Sequence, residues 1–173
     1  MKNPMKRWSA GLAMIAAAVL SGGPIGPSQA QGDVPAVAVA EIYYIDTSGE
    51  VIDQGAEHSR RLRDFAAALR TDISASGKLR GVALDCPPNA CTIGDIDADQ
   101  LVAKAQAAGA AYVLISSFHK TSTLIQGAKF NIVEVKTRKV VFDRLVSFRG
   151  DNDEAYRRAE SFIVRQILDQ EKL

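Results

Sequence analysis

The amino-acid sequence predicts an α/β domain: a single mixed sheet of about five strands, in the order 2-1-3-4-5, with three helices. Three observations carry this expectation. Strand-like and helix-like patterns alternate from Ala36 to Phe118. Tyr112–Phe118 is an almost unbroken apolar run, as in a strand buried on both faces. Two further strand-like segments, Leu124–Val135 and Lys139–Phe148, are separated only by Lys136-Thr137-Arg138, which reads as a hairpin.

Taken in order, Ala36–Ile45 is rich in Val, Ile and Tyr and too short for a typical helix, so it is the first strand. Asp46-Thr47-Ser48-Gly49 ends it, and Gly55 closes a longer loop. From Ala56 to Ser76, Leu62, Phe65, Leu69 and Ile73 recur at spacings of three and four, one apolar stripe on a helix that Gly77 is placed to cap. Leu79–Leu84 is the second strand. Asp95, Asp97 and Asp99 precede Leu101, Val102, Ala105 and Ala108, a second helix with an acidic start and Gly109 as its stop. After the central strand and the hairpin, Asp151 and Glu154 have capping-box spacing for a last helix, with a stripe of Ala155, Ala159, Phe162, Ile163 and Ile167. Right-handed crossovers make the first three strands parallel, place helices on both faces and leave the hairpin as an antiparallel edge.

Ahead of this domain, Lys2, Lys6 and Arg7 precede an apolar run from Ala10 to Leu20 that is too short to span a bilayer and is followed by Pro24 and Pro27. Ser28 and Ala30 supply a leader-peptidase pattern. Residues 1–30 are therefore expected to be a signal peptide cleaved after Ala30, residues 31–35 a flexible lead-in and 36–173 one domain in the periplasm, with no membrane insertion after cleavage. The leader holds three of the 21 basic side chains and none of the 20 acidic ones, so the remaining 143 residues carry 18 basic and 20 acidic groups. That near-neutrality, with no basic stripe interleaved with aromatics, argues against nucleic acid as a partner.

Cys86 and Cys91 flank Pro87-Pro88-Asn89-Ala90, a loop-like stretch that can bring the sulfurs together, and in an oxidising compartment the simplest reading is a disulfide. Closing so short a loop constrains the unfolded chain by roughly 2 kcal/mol. A redox dithiol or half of a zinc site fits less well, because the spacing is not C-x-x-C and no further Cys or His lies near.

Two stretches carry a family resemblance: Ala105–Ile115, and Val140–Arg144 leading into Phe148-Arg149-Gly150-Asp151-Asn152-Asp153-Glu154. Together they resemble an uncharacterised family of small exported Gram-negative proteins. The first also resembles the helix-to-strand step of the TolB amino-terminal and CsgG-like α/β domains, although Ala111 stands where that group has Asp. The resemblance runs from Val37 to Leu168. It implies a periplasmic domain that serves contacts with other envelope proteins rather than catalysis, and it transfers no catalytic residue and no cofactor.

The residues themselves agree that catalytic groups are few: there is no G-x-S-x-G, no phosphate-cradling glycine loop and no H-E-x-x-H. The two histidines, His58 and His119, read as solvated. Topology offers one ligand site. Open α/β sheets bind ligands outside the strand carboxyl ends at the switch point, here between the first and third strands, where Asp46, Thr47 and Ser48 would face His119, Lys120 and Thr121. The ligand-binding candidates are thus Asp46, Ser48, His119 and Lys120. Asp95, Asp97 and Asp99 are a weaker metal alternative, since Gln100 and Gln106 occupy the positions where a calcium loop needs Gly and Glu. The expected function is a non-enzymatic envelope module whose partner is another envelope protein, with a periplasmic small-ligand or metal-binding protein as the alternative.

Overall fold

Residues 34–171 and Leu173 are described by the computed structural model; the leader at 1–30 and residues 31–33 of the lead-in lie outside them. The elements are β1 (Ala36–Val39), β2 (Tyr43–Asp46), α1 (Gly55–Ala75), β3 (Arg80–Ala83), α2 (Ala98–Ala107), β4 (Tyr112–Lys120), β5 (Ile125–Glu134), β6 (Val140–Arg149) and α3 (Asp153–Leu168). One mixed sheet runs β3-β1-β4-β5-β6, with β1 parallel to β3 and β4, and β5 and β6 antiparallel. This is the expected order and direction.

The first strand differs from expectation by arriving in two pieces. β1 lies between β3 and β4, then the chain steps at Ala40–Ile42 and continues as β2, which pairs with β4 alone. Glu41, in the step, explains the break. Its carboxylate accepts from the backbone N–H of Asn89 and of Cys91, both at 3.0 Å, so the cysteine loop is tied to the sheet where β1 ends. Cys86 and Cys91 form a disulfide with Cα atoms 6.0 Å apart.

Side-chain alternation divides the core. Val37, Val39, Leu114, Phe118, Phe130 and Ile132 point to the face covered by α1 and α3, where Phe65, Phe118, Phe130, Phe148 and Tyr156 form a chain of ring contacts. Ala36, Ala38, Val113 and Ile115 point to the other face, covered by α2 through Leu101, Val102 and Ala105. Gly77 and Gly109 follow the ends of α1 and α2 with φ of +70° and +67°, the left-handed conformation that stops a helix.

Two local expectations are corrected. The cap of α3 is Asn152, which accepts from Ala155 N at 2.9 Å; Asp151 lies one residue too early to cap and is drawn elsewhere. Phe162 is 42% exposed, because the buried stripe of α3 runs through Ala155, Tyr156, Ala159, Ile163 and Ile167, and position 162 points off it by about one residue's rotation.

Gly81 marks a close approach of β3 to the backbone of α1. A Cβ there would stand 2.4 Å from the carbonyl oxygen of Arg70, whereas at Gly127 the nearest atom would be 3.8 Å away. Gly81→Ala is therefore expected to destabilise the fold by about 1–3 kcal/mol, as overpacking against backbone does, and Gly127→Ala to shift it by less than about 0.5 kcal/mol. Urea midpoints of the two variants measure the contrast.

Candidate functional site

β4 ends on a charge that its own alternation sends inward. Lys120 shares the face of Phe118, and its side chain is 0% exposed. Around its Nζ stand Asp151 Oδ2 at 2.6 Å, Gln54 Oε1 at 2.6 Å and the carboxylate of Glu50, with Asp46 Oδ2 farther off at 3.9 Å. Asp151 in turn accepts from His58 Nε2 at 2.8 Å and from Arg61 Nη1 at 3.1 Å, and the other ring nitrogen of His58 meets the Tyr44 hydroxyl at 3.1 Å. Burial pushes the Asp151 carboxyl up, but the hydrogen bonds from Lys120 and His58 outweigh it and hold the group below its ordinary value. Burial likewise pulls Lys120 down, and its bonds to Asp151 and Glu50 outweigh this and raise it. Both members of the pair are thereby fixed in their charged forms.

The switch-point candidates are only partly brought together. Asp46 lies beside Lys120, and its Oδ1 accepts from Ser48 N at 2.8 Å and Ser48 Oγ at 2.7 Å. His119 is one residue from Lys120 and so sits on the opposite face of the sheet, where its Nε2 meets Thr47 Oγ1 at 2.7 Å. It is exposed, as expected, but His58 is not: it is 2% exposed and embedded in the charge cluster. Of the three acids around the start of α2, Asp95 accepts from Thr92, Asp97 caps the helix in a capping box with Gln100, and Asp99, in the first turn, pairs with Arg138 at 2.5 Å. Each has a separate partner, and no group of three metal-ligating side chains converges among the described residues.

Sequence reasoning identifies neither Glu50, Gln54 and Asp151 as partners of Lys120 nor Arg61 as a partner of Asp151. One signal was present: a lysine two residues beyond Phe118 in a strand of period two must face the same interior, and so needs buried counter-charges.

The open space lies one strand over. Because β2 stays beside β4, the end of β1 is left uncovered, and a cleft of about 410 Å³ opens there between α1, the exit of β3 and the cysteine loop. Leu62, Ala66, Ile42 and Leu84 line it, with Arg63 and Arg70 along α1.

Asp151→Ala would leave Lys120 and His58 buried without their shared acceptor, and is expected to cost about 3 kcal/mol or more. Asp153→Ala, at the exposed rim, should cost far less. Because folding lowers the pKa of Asp151, its stabilisation is complete above the ordinary carboxylate range and is lost as pH falls through the lower folded value, a loss absent in Asp151→Ala. Glu160, on α3, behaves oppositely. Burial and then the nearby Asp72 push it up to about 7, so its contribution is complete below the ordinary glutamate value and is lost as pH rises through about 7. Urea titrations of Glu160→Gln between those limits should show that decline removed.

In sequence, the chain matches no curated protein. In structure it is similar to TolB from Acinetobacter baumannii, with a TM-score of 0.50 and 18% identity over 80% of this chain, which spans only 28% of TolB. It is similar to the hypothetical protein CT253 from Chlamydia trachomatis, with a TM-score of 0.52 and 9% identity over 79% of this chain and 96% of that one. Lipoprotein GNA1162 from Neisseria meningitidis gives a TM-score of 0.50 and 16% identity over 79% and 99% of the respective chains. At these identities the similarity is one of fold, and it includes the TolB-type α/β architecture that the sequence resembles. The family described as "Protein of unknown function (DUF2380)" matches residues 35–168, nearly all of the described domain, and the chain belongs to that family.

Proposed function

We propose that this protein is an exported, non-enzymatic accessory module of the cell envelope, cleaved after Ala30, that works in the periplasm by contact with another envelope protein. The observation that carries the reading is the outer edge of the sheet. β6 is a ten-residue edge strand, and its outer side is paired with no other strand among the described residues. Leu145 on it is 78% exposed and Val140 55%. A long strand edge without a cover is a template for pairing, which most proteins blunt. α2 covers the sheet near β1 and β4, leaving His119, Lys129, Asp143 and Leu145 exposed on the same face. An extended segment of the partner, added as a strand along β6 with acidic side chains toward Arg144 and Arg149, fits this edge.

The charge cluster supports the non-enzymatic part. A catalytic lysine is activated by a lowered pKa and a general base by one near neutrality, whereas Lys120 is raised and Asp151 lowered. Their hydrogen bonds go to one another, as in a structural network.

A photo-reactive amino acid at Ser147, in cells that produce the protein, tests the contact. The expected result is an adduct with one envelope protein that is lost in Leu145→Lys and absent when the probe is moved to Arg158 on α3. Adducts with a second copy of this chain alone, or equal adducts from both positions, would overturn the reading. The mass of the protein recovered from the periplasm should correspond to a chain beginning at Gln31, and a retained leader would refute export by cleavage.

A further inference from the structure

The cleft at the end of β1 contains a charge that the fold leaves unanswered. Arg70 is half-buried, burial lowers its pKa, and among the described residues no carboxylate or other acceptor is hydrogen-bonded to its guanidinium. Every other basic side chain drawn into the interior has acceptors: Lys120 has Asp151, Glu50 and Gln54, and Arg61 has Asp151, Asp153 and Glu57. Removing a cation from water without a counter-charge opposes folding, so its retention asks for an explanation.

The placement of Arg70 follows from the packing around it. Gly81 lets β3 approach the α1 backbone at Arg70, closer than any side chain would permit, so the arginine leaves the helix beside the sheet rather than into open solvent. Ser59, Arg63, Ala66 and Arg70 recur at spacings of four, three and four on α1, and all line the cleft. The small Ala66 leaves room between the two cations, which stand about 10 Å apart along the helix. Across from them lie Ile42, Leu84 and the disulfide. Glu41, the acid in the lining, accepts from the Asn89 and Cys91 N–H groups and forms no ion pair with Arg63 or Arg70 among the described residues. Tyr44 completes the titratable lining, and burial raises its hydroxyl pKa, so it remains neutral.

We propose that this cleft binds a small amphipathic carboxylate, its head group on the Arg70 guanidinium with Arg63 as a second contact, and its apolar body against Leu62, Ala66, Ile42 and Leu84. A planar carboxylate matches the guanidinium fork, and the apolar walls favour an organic anion over a free hydrated one. The volume of about 410 Å³ is in the range of small-molecule sites. The cleft is at the β3–β1 side of the sheet, remote in strand order from β6, so its occupation does not depend on the proposed partner contact.

Calorimetric titration of the protein, disulfide intact, with octanoate tests the site. Octanoate is expected to bind saturably, with acetate, octanol and inorganic phosphate each much weaker. Arg70→Met should lower octanoate affinity about tenfold or more, the loss of one charged hydrogen-bonding partner, without lowering the thermal midpoint of the free protein, since Arg70 holds no partner in the fold. Amide chemical shifts should move at Ala66, Arg70, Leu84 and Asn89, a result that requires no variant to fold. Absence of saturation, unchanged affinity in folded Arg70→Met, octanol or phosphate binding as tightly as octanoate, or shifts confined to β5 and β6 would each overturn the proposal.

Discussion

Lys120 emerges from the last position of β4 on the interior face, and an ammonium placed there is tolerable only if carboxylates are brought to it. Asp151 and Glu50 come from segments far apart in the chain, one before α3 and one before α1, and Gln54 joins them from the start of α1. Satisfying this one cation therefore locks both helix entrances against the carboxyl end of the central strand. His58 and Arg61 extend the lock from α1, since both donate to Asp151, and Arg61 also lies 6.0 Å from the Tyr156 ring centroid on α3. The ring chain of Phe65, Phe118 and Tyr156 lies on the same face and supplies the apolar part of the junction.

This arrangement fixes where the protein has surface to offer. With β2 and the segment to Gln54 gathered around Lys120, the carboxyl ends of β2 and β4 are occupied by side chains that answer one another. Space remains at the two flanks of the sheet. At one, the step after β1 leaves the arginine-lined cleft below the cysteine loop. At the other, β6 presents an unpaired edge. The disulfide belongs to the first flank: together with Glu41 it holds the loop that forms the cleft wall, so the cysteine pair shapes a binding surface as well as stapling a loop.

Much of this was legible in residues 36–173. The stripe of Leu62, Phe65, Leu69 and Ile73 and the apolar run of Tyr112–Phe118 are local patterns, and such patterns specify element type before any partner is known. The crossover rule then leaves few strand orders. The errors have a common cause. Asp151 reads as a cap because its spacing to Glu154 is right, and His119 groups with Lys120 because both follow the carboxyl end of the central strand at the switch point. In each case the outcome depended on which distant group competed for the side chain, or on which face the residue occupied.

The sequence by itself determined the α/β class, the strand order and the pairing of Cys86 with Cys91, because each follows from short-range spacing or chain geometry. Only the tertiary structure decided which carboxylates meet Lys120, that Asn152 rather than Asp151 caps α3, and that the open cleft lies beside β1 with Arg70 in it. Those outcomes depend on packing between segments tens of residues apart, where a buried charge selects its partners by proximity and desolvation and spacing along the chain carries no record of the choice.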